Sequence, residues 1–268
     1  MYEQRLAQKS AENLKTLRAK RPLIHNITNY VVMNYTANAL LACGASPVMA
    51  HSKEEVEEMV SFAGALVLNI GTLTPAWIDA MLMAGRRANE LDVPIVLDPV
   101  GSGATRLRTE SAKRLVRDLS ISVVRGNASE VLSLVDEGSH TKGVDSIHTV
   151  EQATNAAEEL AKRLKTTIVI TGPVDLITDG ERNHKVLNGH EMMGLVTGTG
   201  CAATALIGAF LAVDQNAVDA ATTALAYFGL AGEKGADSAQ APGTFQMTLL
   251  DALYTIDEIE LGKGARIE

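Results

Sequence analysis

Five consecutive residues, Thr197-Gly198-Thr199-Gly200-Cys201, run directly into an apolar stretch of helical character. Glycines at that junction leave backbone N–H groups exposed at the positive end of a helix, the arrangement that receives a phosphate or a developing phosphoryl charge. Gly198 and Gly200 are therefore candidate catalytic positions through their amides. Cys201 is expected as the first residue of the helix, where the dipole lowers a thiol pKa from its free value of about 8.5. It reads as a base or a nucleophile. With Ala203 the segment also fits the dinucleotide pattern Gly-x-Gly-x-x-Ala. That fingerprint needs a following strand and an acidic residue about 20 positions on. Only helical patterns follow here, and Asp214 comes too early. A Walker A loop is absent as well, because Gly232-Glu233-Lys234-Gly235 has the wrong spacing and no Ser or Thr.

Two carboxylates stand where a metal–phosphate site would want them. Asp98 closes an apolar run and Glu130 lies near a helix start, a pair suited to hydrated Mg²⁺ beside phosphates rather than to an all-protein cage. Glu130 serves equally well as a first-turn acid that stabilises its helix. Arg125 offers a planar fork for a phosphate, or a salt bridge. The six histidines, His25, His51, His140, His148, His184 and His190, show neither zinc spacing nor a partner arrangement for a thiol hydrolase. Met49 is core or pocket wall by default.

The elements that would position these residues follow from periodicity. Short apolar runs at 23–27, 46–49, 65–68, 95–97, 122–124 and 167–170 predict buried strands. Helical patterns at 32–42, 53–62, 75–91, 110–119, 129–135 and 150–164 alternate with them, which predicts a mostly parallel sheet covered on both faces. An Asp179-Gly180 turn joins two extended pieces at 175–178 and 184–187, read as an edge hairpin. Helices are predicted at 201–213, 217–233 and 244–259, and the Gly/Pro-bearing stretch 235–243 reads as a mobile loop. Ligands of open α/β sheets bind beyond the carboxyl ends of strands, and the residues there are polar and glycine-rich in five separate loops. Five such loops on one rim favour a site over ordinary turns.

Composition narrows the classes. With 24 Lys+Arg against 32 Asp+Glu the formal net charge is −8, so a nucleic-acid partner is not expected. The 268 residues are 46% hydrophobic and only 4% aromatic, which fits Ala/Val/Leu-rich helices on a sheet in a single domain, 1–268. Two cysteines do not make a disulfide framework, and a cytoplasmic setting is expected. The N-terminal 21 residues mix charges throughout and read as a solvated amphipathic helix rather than a leader. The longest apolar run, about 13 residues, falls short of the roughly 20 needed to cross a bilayer, so no membrane partner is expected.

Taken together, Pro22-Leu23-Ile24-His25-Asn26-Ile27-Thr28-Asn29, Gly44-Ala45-Ser46-Pro47-Val48-Met49, Leu97-Asp98-Pro99-Val100-Gly101, Arg125-Gly126-Asn127-Ala128-Ser129-Glu130 and Gly198-Thr199-Gly200-Cys201 resemble the hydroxyethylthiazole kinase family, in the family's order. The resemblance implies a single-domain ribokinase-like three-layer α/β/α sandwich. It implies transfer of the ATP γ-phosphoryl group to a thiazole alcohol in thiamine salvage, by a homotrimer with sites at subunit interfaces. Asn26, Met49, Thr197 and Gly198 would meet or line the thiazole, Arg125, Asn127 and Thr171 would meet ATP, and Asp98 and Glu130 would organise Mg²⁺. Cys201 falls where most ribokinase-like enzymes carry an aspartate base. The competing readings are a kinase for a hydroxymethylpyrimidine, a nucleotide-binding protein without turnover, and a Cys-dependent hydrolase.

Overall fold

The computed structural model describes residues 2–135 and 150–268, so His140 and His148 lie outside the described residues. Strands β1 (Leu23–Ile27), β2 (Ser46–Val48), β3 (Ala65–Asn69), β4 (Ile95–Asp98), β5 (Val123–Gly126), β6 (Thr167–Ile170), β7 (Asp175–Thr178) and β8 (Asn183–Val186) form one sheet. Its order is β2-β1-β3-β4-β5-β6-β7-β8. The first six are parallel, and β7 and β8 return antiparallel as the expected edge hairpin.

Side chains alternate across a pleated strand, so each strand feeds two cores. Ile24, Val67, Val96, Val123 and Val169 point to one face. There they meet α1 (Tyr2–Lys20), α2 (Met33–Cys43), α8 (Thr199–Leu211), α9 (Ala217–Ser238), α10 (Pro242–Thr255) and α11 (Glu258–Gly264). Leu66, Leu68, Ile95, Leu97 and Ile168 point to the other. That face is covered by α3 (Val56–Val60), α4 (Pro75–Glu90), α5 (Arg106–Asp118), α6 (Ala128–Leu132) and α7 (Val150–Leu164). The three-layer α/β/α reading is thereby met. Both cores are mostly aliphatic, with Phe210, Tyr227 and Phe245 in the first and Trp77 in the second, and they hold the sheet's carboxyl rim in place.

Several boundaries differ from the sequence expectation, each for a local reason. The stretch 235–243 is not a loop: α9 continues to Ser238, with Gly235 packed against the Leu249 backbone of α10, and only residues 239–241 connect the two helices. The predicted helix 244–259 is two helices, because the Asp257 side chain accepts from Glu260 N and starts α11 afresh. Helix α5 begins earlier than expected, capped by the Thr105 hydroxyl. Helix α8 begins at Thr199, so Cys201 is its third residue and not its first.

Candidate active site

Parallel register puts the key polar residues side by side. Asn69 and Asp98 are register partners at the carboxyl ends of β3 and β4. Asn69 Nδ2 donates to Asp98 Oδ2 at 2.8 Å, and Thr204 Oγ1 of α8 donates to the same oxygen at 2.9 Å. Asp98 is only 1% exposed, and its other oxygen, Oδ1, is buried with no hydrogen-bond partner among the described residues. Burial pushes the Asp98 carboxyl up to about 6, against the pull of Arg125 and with a further push from Glu130. An unpartnered buried carboxylate oxygen is costly unless something positive is meant to approach it.

Arg125 projects from β5 into the same space. Its Nη1 lies 3.7 Å from Asp98 Oδ2, its Nη2 donates to Thr171 Oγ1 at 2.5 Å, and its guanidinium covers the Cα of Gly200 so closely that a Cβ there would sit 2.8 Å from Nη1. Gly200 opens α8 together with Gly198, whose φ of +92° is left-handed and suits glycine. No side chain caps this helix. Its first amides have no intrahelical acceptor, so they remain available to an anion beside the guanidinium. A cavity of about 510 Å³ starts here, lined by Arg125, Thr171, Asp175, Gly200, Leu225 and Phe228 among others.

Cys201 differs from the sequence expectation in its chemistry. Burial first, then the nearby Asp98 charge, pushes its thiol up to about 11, so the local dipole argument fails and the group is protonated at neutral pH. Asn69 Nδ2 and Asn29 Nδ2 approach Sγ at 3.2 and 3.5 Å. Sequence reasoning noticed both asparagines only as loop polarity. It missed Arg108 entirely, which donates to the carbonyls of Ile70, Gly71 and Val100 and so ties the loops after β3 and β4 together.

The remaining candidates divide. Glu130 closes a capping box with Asn127: Asn127 N donates to Glu130 Oε2 at 2.9 Å, and the Asn127 side chain accepts from Glu130 N at 2.9 Å. Gly101 N also donates to Glu130 Oε1 at 2.8 Å, so this carboxylate locks the loop after β4 to α6. Asn26 is fully buried in β1, its Nδ2 donating to Ile24 O and its Oδ1 unpartnered among the described residues. Met49 is half-buried and Thr197 exposed, and neither they nor Asn26 line the 510 Å³ cavity. Among the described residues no cluster of three His, Cys, Asp or Glu side chains is ready to hold a metal by itself. Asp98, with its free oxygen, fits a hydrated divalent cation whose other contacts come from phosphates.

An open helix N-terminus, a guanidinium and a carboxylate meet at the carboxyl rim of a mostly parallel sheet, an arrangement suited to phosphoryl transfer. Residues 14–259 match the model of the hydroxyethylthiazole kinase family, and the chain belongs to that family. A hydroxyethylthiazole kinase of Desulfotalea psychrophila is 61% identical over 97% of this chain and 95% of its own. The solved hydroxyethylthiazole kinase of Pyrococcus horikoshii superposes with a TM-score of 0.90, at 46% identity over 97% of this chain and 98% of that one. A ribokinase-like superfamily protein of Enterococcus faecalis, 14% identical with a TM-score of 0.63 over 90% of this chain and 89% of its own, shares the fold alone.

Proposed function

We propose that the chain transfers the γ-phosphoryl group of ATP to the hydroxyl of 4-methyl-5-(2-hydroxyethyl)thiazole, giving the thiazole phosphate for thiamine salvage. One observation carries the reading: the uncapped start of α8, the Arg125 guanidinium and the free oxygen of Asp98 share one spot on the carboxyl rim.

The nucleotide occupies the cavity between Thr171 and α8, where Arg125 forks onto its phosphates and Leu225 and Phe228 offer an apolar wall. Asn127 serves this site through the turn it caps. Mg²⁺, when bound, would supply positive charge to the phosphates. Asp98 and Glu130 would hold it through its hydration shell. Asn26, Met49, Thr197 and Gly198 contribute the thiazole side. They do not line the nucleotide cavity within one chain, and the family resemblance implies a homotrimer whose sites are completed across subunits.

In transfer, the alcohol oxygen bonds to Pγ as the bridging oxygen leaves with ADP, and the hydroxyl proton departs late to a phosphoryl oxygen and then to solvent. The amides of residues 199–201 receive the charge on the moving group. Cys201 contributes as a contact to the alcohol more than as a base. A thiol near 11 is only about 10⁻⁴ ionised at pH 7, which offsets the roughly 10²–10⁴-fold that general-base help supplies. We further assign the chain to the cytoplasm as a single catalytic domain; among the described residues no helix is long and apolar enough to cross a membrane.

The test is phosphorus NMR of the purified protein with MgATP and either the thiazole alcohol or a hydroxymethylpyrimidine. A phosphomonoester from the thiazole alcohol, with ADP in equal amount, is expected. Faster turnover of the pyrimidine, or tight MgATP binding with neither ester, would contradict the proposal.

A further inference from the structure

Two asparagines, Asn29 in the loop after β1 and Asn69 at the end of β3, reach the Cys201 sulfur from 172 and 132 positions away in the chain. Both are buried, Asn29 at 4% and Asn69 at 2% exposure. Backbone groups dictate which way their amides face. Val31 N donates to Asn29 Oδ1 at 3.1 Å, and Gly71 N donates to Asn69 Oδ1 at 2.9 Å. A backbone N–H can only donate, so each carbonyl oxygen must turn to it and each NH₂ must turn inward. Asn29 Nδ2 then donates to Asn69 Oδ1 at 2.8 Å, and Asn69 Nδ2 to Asp98 Oδ2 at 2.8 Å. With those bonds made, each amide has one N–H left for the sulfur. A thiol that accepts two N–H donors has its own proton turned away from them.

We propose that Asn29 and Asn69 are positioning residues that hold the Cys201 thiol in a single rotational state, lone pairs on the amides and S–H toward the acceptor alcohol. The inference rests on the reading that the alcohol stands beside Cys201. The charged groups facing the sulfur are Asp98 at the end of β4 and Arg125 on β5. Asn69 bridges the sulfur and Asp98, and so keeps the carboxylate from competing for the S–H.

A double-mutant cycle tests it, built on Asn29 because that residue touches the sulfur without touching Asp98. Asn29→Ala lowers kcat about 5–10-fold with KM for ATP unchanged, the size of one lost hydrogen bond. In a Cys201→Ala background the same substitution costs less than about twofold. Equal losses in the two backgrounds would make Asn29 a mere loop support and overturn the proposal. Iodoacetamide labelling of the substrate-free protein, mapped to the Cys201 peptide by mass spectrometry, gives a readout independent of turnover. Cys43, fully buried, stays silent. Labelling slows about threefold or more in Asn29→Ala, because the donors favour the anionic sulfur that reacts. An equal or faster rate contradicts the proposal whatever alcohol the enzyme uses. Asn29→Ser takes its place should Asn29→Ala not fold.

Discussion

Two helices begin on the same rim and are finished in opposite ways. At α6, Asn127 and Glu130 satisfy each other's backbone groups in a closed capping box, and Gly101 N adds a third tie. At α8, Gly198 supplies a left-handed turn and no side chain caps the helix; even the Thr199 hydroxyl turns back to Met193 O and Val196 O. A closed start satisfies its own backbone donors and stabilises the fold. An open start leaves donors unsatisfied until an anion arrives, and here the Arg125 guanidinium lies over Gly200. The contrast separates scaffold from machinery on one edge of one sheet.

The largest expected effect comes from closing the open start. Gly200→Ala drives a Cβ into the Arg125 guanidinium, displaces both phosphoryl partners, and should lower kcat/KM by about 10³-fold in steady-state assays. A loss below tenfold would erase the distinction between the helices. Asp98→Asn comes next. The Asp98 carboxyl is raised from 3.8 to about 6 in the folded state, so its burial opposes folding fully above pH 6, and the penalty vanishes as pH falls below about 4. Two pKa units correspond to roughly 3 kcal/mol. Urea unfolding of the substrate-free protein should show Asp98→Asn more stable at pH 7.5, with the gain gone near pH 4.

Much of this rim was legible in the sequence because buried parallel strands read as apolar runs and whatever follows them stands out. Asp98, Arg125 and Thr171 were found that way, and the glycines of α8 by standing directly before an apolar helix. Asn29 and Asn69 were not singled out, since their meaning depends on β3 pairing with β4 in the register that sets Asn69 beside Asp98. No local pattern carries that information. The expected low pKa of Cys201 failed for the same reason: the dipole is local, whereas the burial and the Asp98 charge that outweigh it are assembled from distant strands. The break at Asp257 and the early start at Thr105 were visible as capping residues but sat inside longer helical patterns that concealed them.

Smaller effects sharpen the contrast further. Cys201→Ala should cost about 10²-fold in kcat, and never more than about 10⁴-fold, the ceiling for a lost base. Wild-type kcat should stay flat from pH 7 to 9. A thiolate base titrating near 11 would instead make it climb about tenfold per pH unit over that range. At the closed helix, Asn127→Ala should lower stability by about 1 kcal/mol in thermal or urea unfolding, while KM for ATP moves less than about threefold. A large KM effect there would mean that the capping box also touches the nucleotide.

The most direct test is a crystal structure with MgADP, aluminium fluoride and the thiazole alcohol. The account predicts the fluoride group within hydrogen-bonding distance of the residue 199–201 amides, with the Arg125 fork beside it and the alcohol oxygen in line by Cys201. Density for that group at the α6 start, or anywhere out of reach of the α8 amides, would contradict it.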